Sequence, residues 1–170
     1  IAAIIPPPIS TFLLTSETSA EELIRHHQRT NTNTIQIVDL PENGTYSKLK
    51  TGLPSVKIVQ VIHVIDEKSV ELALEISEQV DALLLDSGNP NLKIKELGGT
   101  GRVHDWNLSK IIRERSKCPV FLAGGLKPEN VKQAIDEVQP FGIDVCSGVR
   151  TDGKLDRQKL SDFFLKAMGY

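Results

Sequence analysis

Six short apolar runs punctuate the chain, and each is followed by a stretch whose apolar residues fall at helical spacing. The runs are Thr11–Thr15 (TFLLT), Thr34–Val38 (TIQIV), Val56–Val64 (VKIVQVIHV), Asp81–Leu85 (DALLL), Pro119–Ala123 (PVFLA) and Gly142–Cys146 (GIDVC). Between them, Ser19 and Glu22 form a capping box opening a helix with Leu23 and Ile24 on one face. A weak helix is expected around Tyr46–Leu49, and Val70, Ala73, Leu74 and Ser77 share a stripe. Later helices carry Leu108, Ile111 and Ile112; then Val131, Ala134, Ile135 and Val138, with Pro128 in the first turn. The last, behind an Asp152-Gly153 turn and an Asp156 cap, carries Leu160, Phe163, Phe164 and Ala167. Short strands separated by single helices imply βαβ units and a parallel sheet. A doubly wound open sheet and a closed (β/α)₈ barrel both fit. A barrel needs eight strands and typically about 250 residues, whereas six runs occur here in 170 residues.

Composition excludes more than it selects. A net charge of -2 leaves no electrostatic footprint for nucleic acid or an anionic membrane. No run approaches the ~20 apolar residues of a membrane span, and Ile1 to Ile9 lacks the basic flank of a signal peptide. Cys118 and Cys146 are too few for a disulfide framework and read as buried thiols in a reducing cytoplasm. Zinc-ligand spacing, H-E-x-x-H, G-x-S-x-G and a Walker loop do not occur.

In parallel α/β folds the chemistry sits at the C-terminal ends of the strands. Three such ends are unusual: Leu85-Asp86 places a carboxylate at the rim, Ala123-Gly124-Gly125 ends in two glycines before a helix, and Cys146-Ser147-Gly148 ends in a hydroxyl and a glycine. Glycines between a strand and a helix let backbone N–H groups approach an anion. Two such turns on consecutive strands predict a phosphate site. The loop Leu97-Gly98-Gly99-Thr100-Gly101-Arg102-Val103-His104-Asp105-Trp106 reads as a cover with Arg102 available to an anionic group and Trp106 as a packing anchor. Several residues favour an ordinary structural role. His26 and His27 are expected to face solvent, His63, at the end of the third run and able to line a pocket, to be an ordinary strand-end histidine, and Glu71, Glu75 and Glu78 to lie on exposed helix faces.

Taken in order, DALLLDS, GGTGRVHDW, PVFLAGGLKPENVKQAI and FGIDVCSGVRTDGKLD resemble phosphoribosylanthranilate isomerase, the barrel enzyme of tryptophan biosynthesis. The likeness is specific from Asp81 onward and looser over Ile1 to Val80. It implies an incomplete (β/α)₈ barrel, a single domain over residues 1–170 whose runs are strands 3 to 8, with strands 1 and 2 outside the chain. Such a chain, with unpaired edges, is expected to self-associate. The family catalyses an Amadori rearrangement of an N-phosphoribosyl aryl amine without a cofactor. By resemblance Asp86 is the general acid, Gly124, Gly125, Ser147 and Gly148 hold the phosphate, Asp144 is a further pocket residue, and Gly99, Gly101 and Arg102 lie near the anthranilate. The implied partner is a phosphorylated small molecule in the cytoplasm, not nucleic acid or a membrane, and a homodimer is left open.

Departures from the family pattern are equally specific. The Lys-Ile-Cys-Gly motif that carries the family's base on strand 1 does not occur here, and Cys118 and Cys146 map to strands 7 and 8 and do not replace it. A strand that ends Gln-Leu-His-Gly in the family reads Gln36-Ile37-Val38-Asp39, and Gly-Val-Glu reads Gly148-Val149-Arg150. A divergent paralogue that binds or isomerises another phosphosugar, or is inactive, is the alternative expectation.

Overall fold

The strands are adjacent in chain order. The computed structural model describes residues 2–88 and 103–169. Its sheet runs β1 (Phe12–Thr15), β2 (Thr34–Ile37), β3 (Lys57–His63), β4 (Ala82–Asp86), β5 (Val120–Leu122) and β6 (Gly142–Ile143), every pair parallel. The connecting helices are α1 (Ala20–Thr30), α2 (Thr45–Gly52), α3 (Glu67–Ser77), α4 (Trp106–Arg115) and α5 (Val131–Val138), and α6 (Arg157–Ala167) closes the series. Neighbouring helices pack on one another, α1 on α2, α3 on α4, α4 on α5 and α5 on α6. Strands in sequence order under a single helical layer form an unclosed barrel wall, which decides between the two architectures.

The period-2 pattern of the strands divides the core. Facing the helices are Ile35, Ile37, Ile58, Ile62, Leu83, Leu85 and Leu122, all buried in one large cluster. Each such side chain contributes about 1.5–3 kcal/mol of burial. The inner face carries a smaller cluster of Val59, Val61, Ala82, Leu84 and Ala123, with Val38 and Phe121 against it. Cross-strand register explains that cluster, because Val61 stands beside Leu84 and Leu84 beside Phe121. At the edge strand β1 the inner face lies open, with Leu14 61% exposed.

Capping chemistry places the helices as read. Ser19 accepts from the Glu22 N–H at 3.3 Å and donates to its carboxylate, while Asp156 accepts from the N–H groups of Gln158 and Lys159. The Asp152-Gly153 turn joins a two-stranded hairpin, β7 (Arg150–Thr151) and β8 (Lys154–Leu155), with positive φ at both residues.

Four expectations need correction. The sixth strand is only Gly142–Ile143, because β6 is an edge held from one side; after the Asp144 N–H bonds the Leu122 carbonyl at 2.8 Å, the chain leaves the sheet for a 3₁₀ turn at Ser147–Val149. Cys146 is consequently exposed, and Cys118 is half-buried. Helix α5 begins at Val131, not Pro128, since Asn130 ties down the preceding turn, accepting from the Lys127 N–H and donating to the Gly125 carbonyl. His27 is buried, because its ring reaches back to the Thr32 carbonyl at 2.6 Å, and His26 is half-buried against Glu17 at 3.0 Å.

Candidate active site at the strand ends

The C-terminal rim of the sheet gathers the titratable groups of the inner face. Asp86, the last residue of β4, lies two positions beyond Leu84 on that face and is 8% exposed. Register sets it directly beside His63, the last residue of β3. Asp144 follows β6 at the same level, alongside the end of β5. Burial pushes the Asp86 carboxyl above the usual carboxylate range, against the opposing pull of the Ser87 N–H and the charge of His63. Asp144 is raised too, by desolvation at the rim and then by the negative charge of Asp86, although the residue is exposed. Burial lowers His63, outweighing the carboxylates of Asp86 and Asp39 and the carbonyl of Val38. Two neighbouring carboxyls held above their ordinary range are suited to giving protons rather than to pairing with cations.

The glycine turns close on this acid. Gly124 and Gly125 have φ of 80° and 65°, a left-handed pair that turns the chain sharply out of β5. A Cβ on Gly124 would stand 2.8 Å from the Ser87 nitrogen, so the residue after Asp86 packs directly on this turn. A Cβ on Gly148 would run into the Leu126 carbonyl, so the 3₁₀ turn after β6 is pressed against the turn after β5. Three strand ends therefore meet in one place: Asp86-Ser87, Gly124 to Lys127, and Ser147-Gly148. Among the described residues, the N–H groups of Gly124 and Gly125 make no loop or turn hydrogen bond to another backbone group, and those of Ser147 and Gly148 open the 3₁₀ turn, where helical N–H groups have no partner within the turn. Backbone donors left over at adjacent turns suit an anion with several oxygens.

Of the residues singled out in the sequence, Asp86, Gly124, Gly125, Asp144, Ser147 and Gly148 come together at this rim. Gly99, Gly101 and Arg102 lie outside the described residues. Where the chain resumes, His104 meets the buried hydroxyl of Ser109 at 2.6 Å, and burial pushes its ring down to about 4. Trp106 is buried in the main core, as expected of an anchor. Arg150 donates to the Gly153 carbonyl at 2.9 Å, so its guanidinium serves its own hairpin. The residue that sequence reasoning passed over is His63. Its signal was a position at the end of a strand one register step from Asp86, which emerges only when β3 and β4 are aligned. It also lines a cleft of about 420 Å³ at the ends of β2 and β3, with Val38, Asp39, Val61, Asp66 and Lys68.

Known proteins agree with this geometry. A family model described as N-(5'phosphoribosyl)anthranilate (PRA) isomerase matches residues 14–166. A curated N-(5'-phosphoribosyl)anthranilate isomerase from Methanosarcina acetivorans is 41% identical over 87% of this chain, which spans 64% of that relative's length. One from Halobacterium salinarum is 34% identical over 98% of this chain and 74% of its own. Among solved structures, the phosphoribosyl anthranilate isomerase of Thermotoga maritima superposes with a TM-score of 0.80 at 28% identity, covering 99% of this chain and 78% of that one. Another phosphoribosyl anthranilate isomerase, in complex with reduced 1-(o-carboxyphenylamino)-1-deoxyribulose 5-phosphate, matches with a TM-score of 0.76 at 26% identity, covering 99% of this chain and 76% of that one. No described helix is long and apolar enough to cross a membrane.

Proposed function

The chain belongs to the phosphoribosylanthranilate isomerase family, and from that premise we propose that the protein catalyses the Amadori rearrangement of phosphoribosylanthranilate to its 1-amino-1-deoxyketose phosphate in tryptophan biosynthesis. The observation that carries this reading is the meeting of a buried carboxyl, held above its usual range, with two glycine turns pressed against each other and against the residue that follows it.

The roles follow from the chemistry of each group. The phosphate seats on the amides of Gly124, Gly125, Ser147 and Gly148, where backbone donors favour a dianion. That anchor leaves the ribose spanning the rim toward Asp86. The raised carboxyl keeps its proton closer to neutral pH than an ordinary aspartic acid and passes it to the ring oxygen. The C1–O bond breaks, its electron pair staying on the new hydroxyl, while the amine lone pair forms the C=N bond. A base then takes the C2 proton, the role that the family gives to the cysteine of a Lys-Ile-Cys-Gly motif not found among these residues, and the enolamine so formed takes up a proton as it relaxes to the ketone. The steps exchange protons with the protein and shift electron pairs within the substrate, with no net oxidation or reduction, so the rearrangement calls for no redox partner. Asp144, at the same rim, faces the reacting sugar as a second polar wall, and Gly99, Gly101 and Arg102 belong to the aryl end of the substrate. A phosphorylated sugar does not cross a bilayer unaided, which supports a cytoplasmic reaction.

The alternative of a divergent phosphosugar binder rested partly on Arg150, and that side chain is engaged with Gly153 instead. Replacing Asp86 with Asn separates the two readings. Turnover should fall by ~10²-fold or more, while affinity for the reduced product analogue changes little. A variant that turns over as fast as the parent would remove Asp86 as the acid.

A further inference from the structure

His63 is fixed in a way that an ordinary strand-end histidine is not. Its Nε2 lies 3.3 Å from the Val38 carbonyl. A carbonyl can only accept, so the neutral ring carries its proton on Nε2 and presents a lone pair at Nδ1. That Nδ1 is buried and has no hydrogen-bond partner among the described residues. Three residues earlier on the opposite face of β3, Gln60 donates to the Asp39 carbonyl at 3.1 Å and is itself held by the Tyr46 hydroxyl at 2.9 Å. One strand thus grips the two carbonyls that follow β2, and the ring cannot swing without releasing one of them.

The charges around the ring are few and arranged by strand. Asp86 faces it from β4 in direct register, and Asp39 from the end of β2. Asp144 on the β6 side acts on Asp86, and Asp66 and Lys68 from the start of α3 line the same cleft. In-register neighbours on parallel strands stand about 4.8 Å apart, within reach of strong coupling where water is scarce.

We propose that His63 is a positioning residue for the acid: its own proton occupancy decides whether Asp86 holds the proton it must deliver. The inference rests on the isomerase reading for what the proton is used for, but not for the coupling itself. With a neutral ring, only the Ser87 N–H opposes the burial of Asp86, and the balance moves toward the protonated carboxyl. With an imidazolium beside it, the carboxylate is the favoured form and the acid is spent. Conversely, the ring becomes more basic once Asp86 has given its proton away. The buried lone pair at Nδ1 is where that added proton goes, which accounts for an acceptor that otherwise has no purpose in the core.

Coupling of this kind is reciprocal, so two titrations must agree. Ring resonances of His63, followed by NMR against pH, should titrate about half a pH unit lower or more in Asp86→Asn than in the parent. The carboxyl carbon of Asp86 should titrate higher by the same amount in His63→Gln, a change that keeps a donor for Val38 but carries no charge. The high-pH limb of the kcat profile should move up with it. A drop in kcat with an unmoved limb would mark a structural role only and overturn the proposal. Should His63→Gln fail to fold, the Asp86→Asn titration decides alone, and an unchanged His63 curve sinks the coupling. Loss of turnover in Asp86→Asn beside uncoupled titrations would leave the isomerase reading standing without this refinement. Full turnover beside coupled titrations would do the reverse.

Discussion

Asp81 and Asp86 stand at opposite ends of β4, the same side chain in contrary circumstances. At the N-terminal rim, Asp81 accepts from the Ile58 N–H at 2.9 Å and from the Lys57 ammonium at 3.0 Å. Desolvation alone would raise its carboxyl, but those two donors outweigh it and hold the group below the usual range. At the C-terminal rim, Asp86 is more deeply buried, has the Ser87 N–H and a weakly basic ring for company, and is raised. One carboxylate ties β3 to β4. The other is left with its proton. Parallel barrels divide labour this way, with stability at the bottom of the strands and chemistry at the top, and the comparison locates the division within a single strand of five residues.

The sharpest way to break that division is to disturb the upper rim where it is most tightly packed. Gly148→Ala drives a methyl group into the Leu126 carbonyl, and backbone cannot step aside as a side chain can. We expect a loss of about 2 kcal/mol or more in stability, read from thermal melts, because a filled contact forces the two turns apart. Affinity for the reduced product analogue should fall with it, since the same displacement spreads the amides of the cradle. A variant that melts with the parent would mean that the turns are not pressed together, and the phosphate site would lose its geometric basis.

At the lower rim the effect should be smaller and purely structural. Asp81→Ala leaves the Ile58 N–H without its acceptor and should cost about 1–2 kcal/mol at neutral pH. The sign of its pH dependence is fixed. A carboxyl lowered in the folded state adds stability above its unfolded pKa and loses it as pH falls through the folded value. The gap in melting temperature between parent and variant should therefore close in acid. Turnover per folded molecule should not change, and a drop in kcat without loss of fold would refute the separation of the two rims.

Much of the upper rim was legible in the sequence because its signals are local. Gly124, Gly125 and Gly148 stand out at the ends of apolar runs, and Asp86 ends a run that is otherwise wholly apolar. What could not be read depends on partners far along the chain. His63 matters through its register with Asp86, and no single-strand pattern encodes register. His27 is buried through a carbonyl beyond the end of its own helix, a contact that helical periodicity does not describe. Among the described residues β6 is an edge strand, paired on one side only, so an apolar run of ordinary strand composition pairs over two residues and then departs. Cys146 was misplaced for the same reason.

The finest test of the comparison lies with Asp144, whose carboxyl is raised like that of Asp86 but whose side chain is open to solvent. A carboxyl raised in the folded state opposes folding wherever it must be ionised. Its contribution is intact below the unfolded pKa and is lost as pH rises through the folded value. Asp144→Asn should therefore melt higher than the parent at neutral pH, by well under about 1 kcal/mol because exposed charges are screened. Below the ordinary carboxylate range the two should melt together, the reverse of the pattern at Asp81. Part of the cause is the charge of Asp86, so the gain should shrink when Asp144→Asn is made in an Asp86→Asn background. A full gain in that background would mean that the two carboxyls do not sense each other, and that the upper rim is a set of separate groups instead of one site.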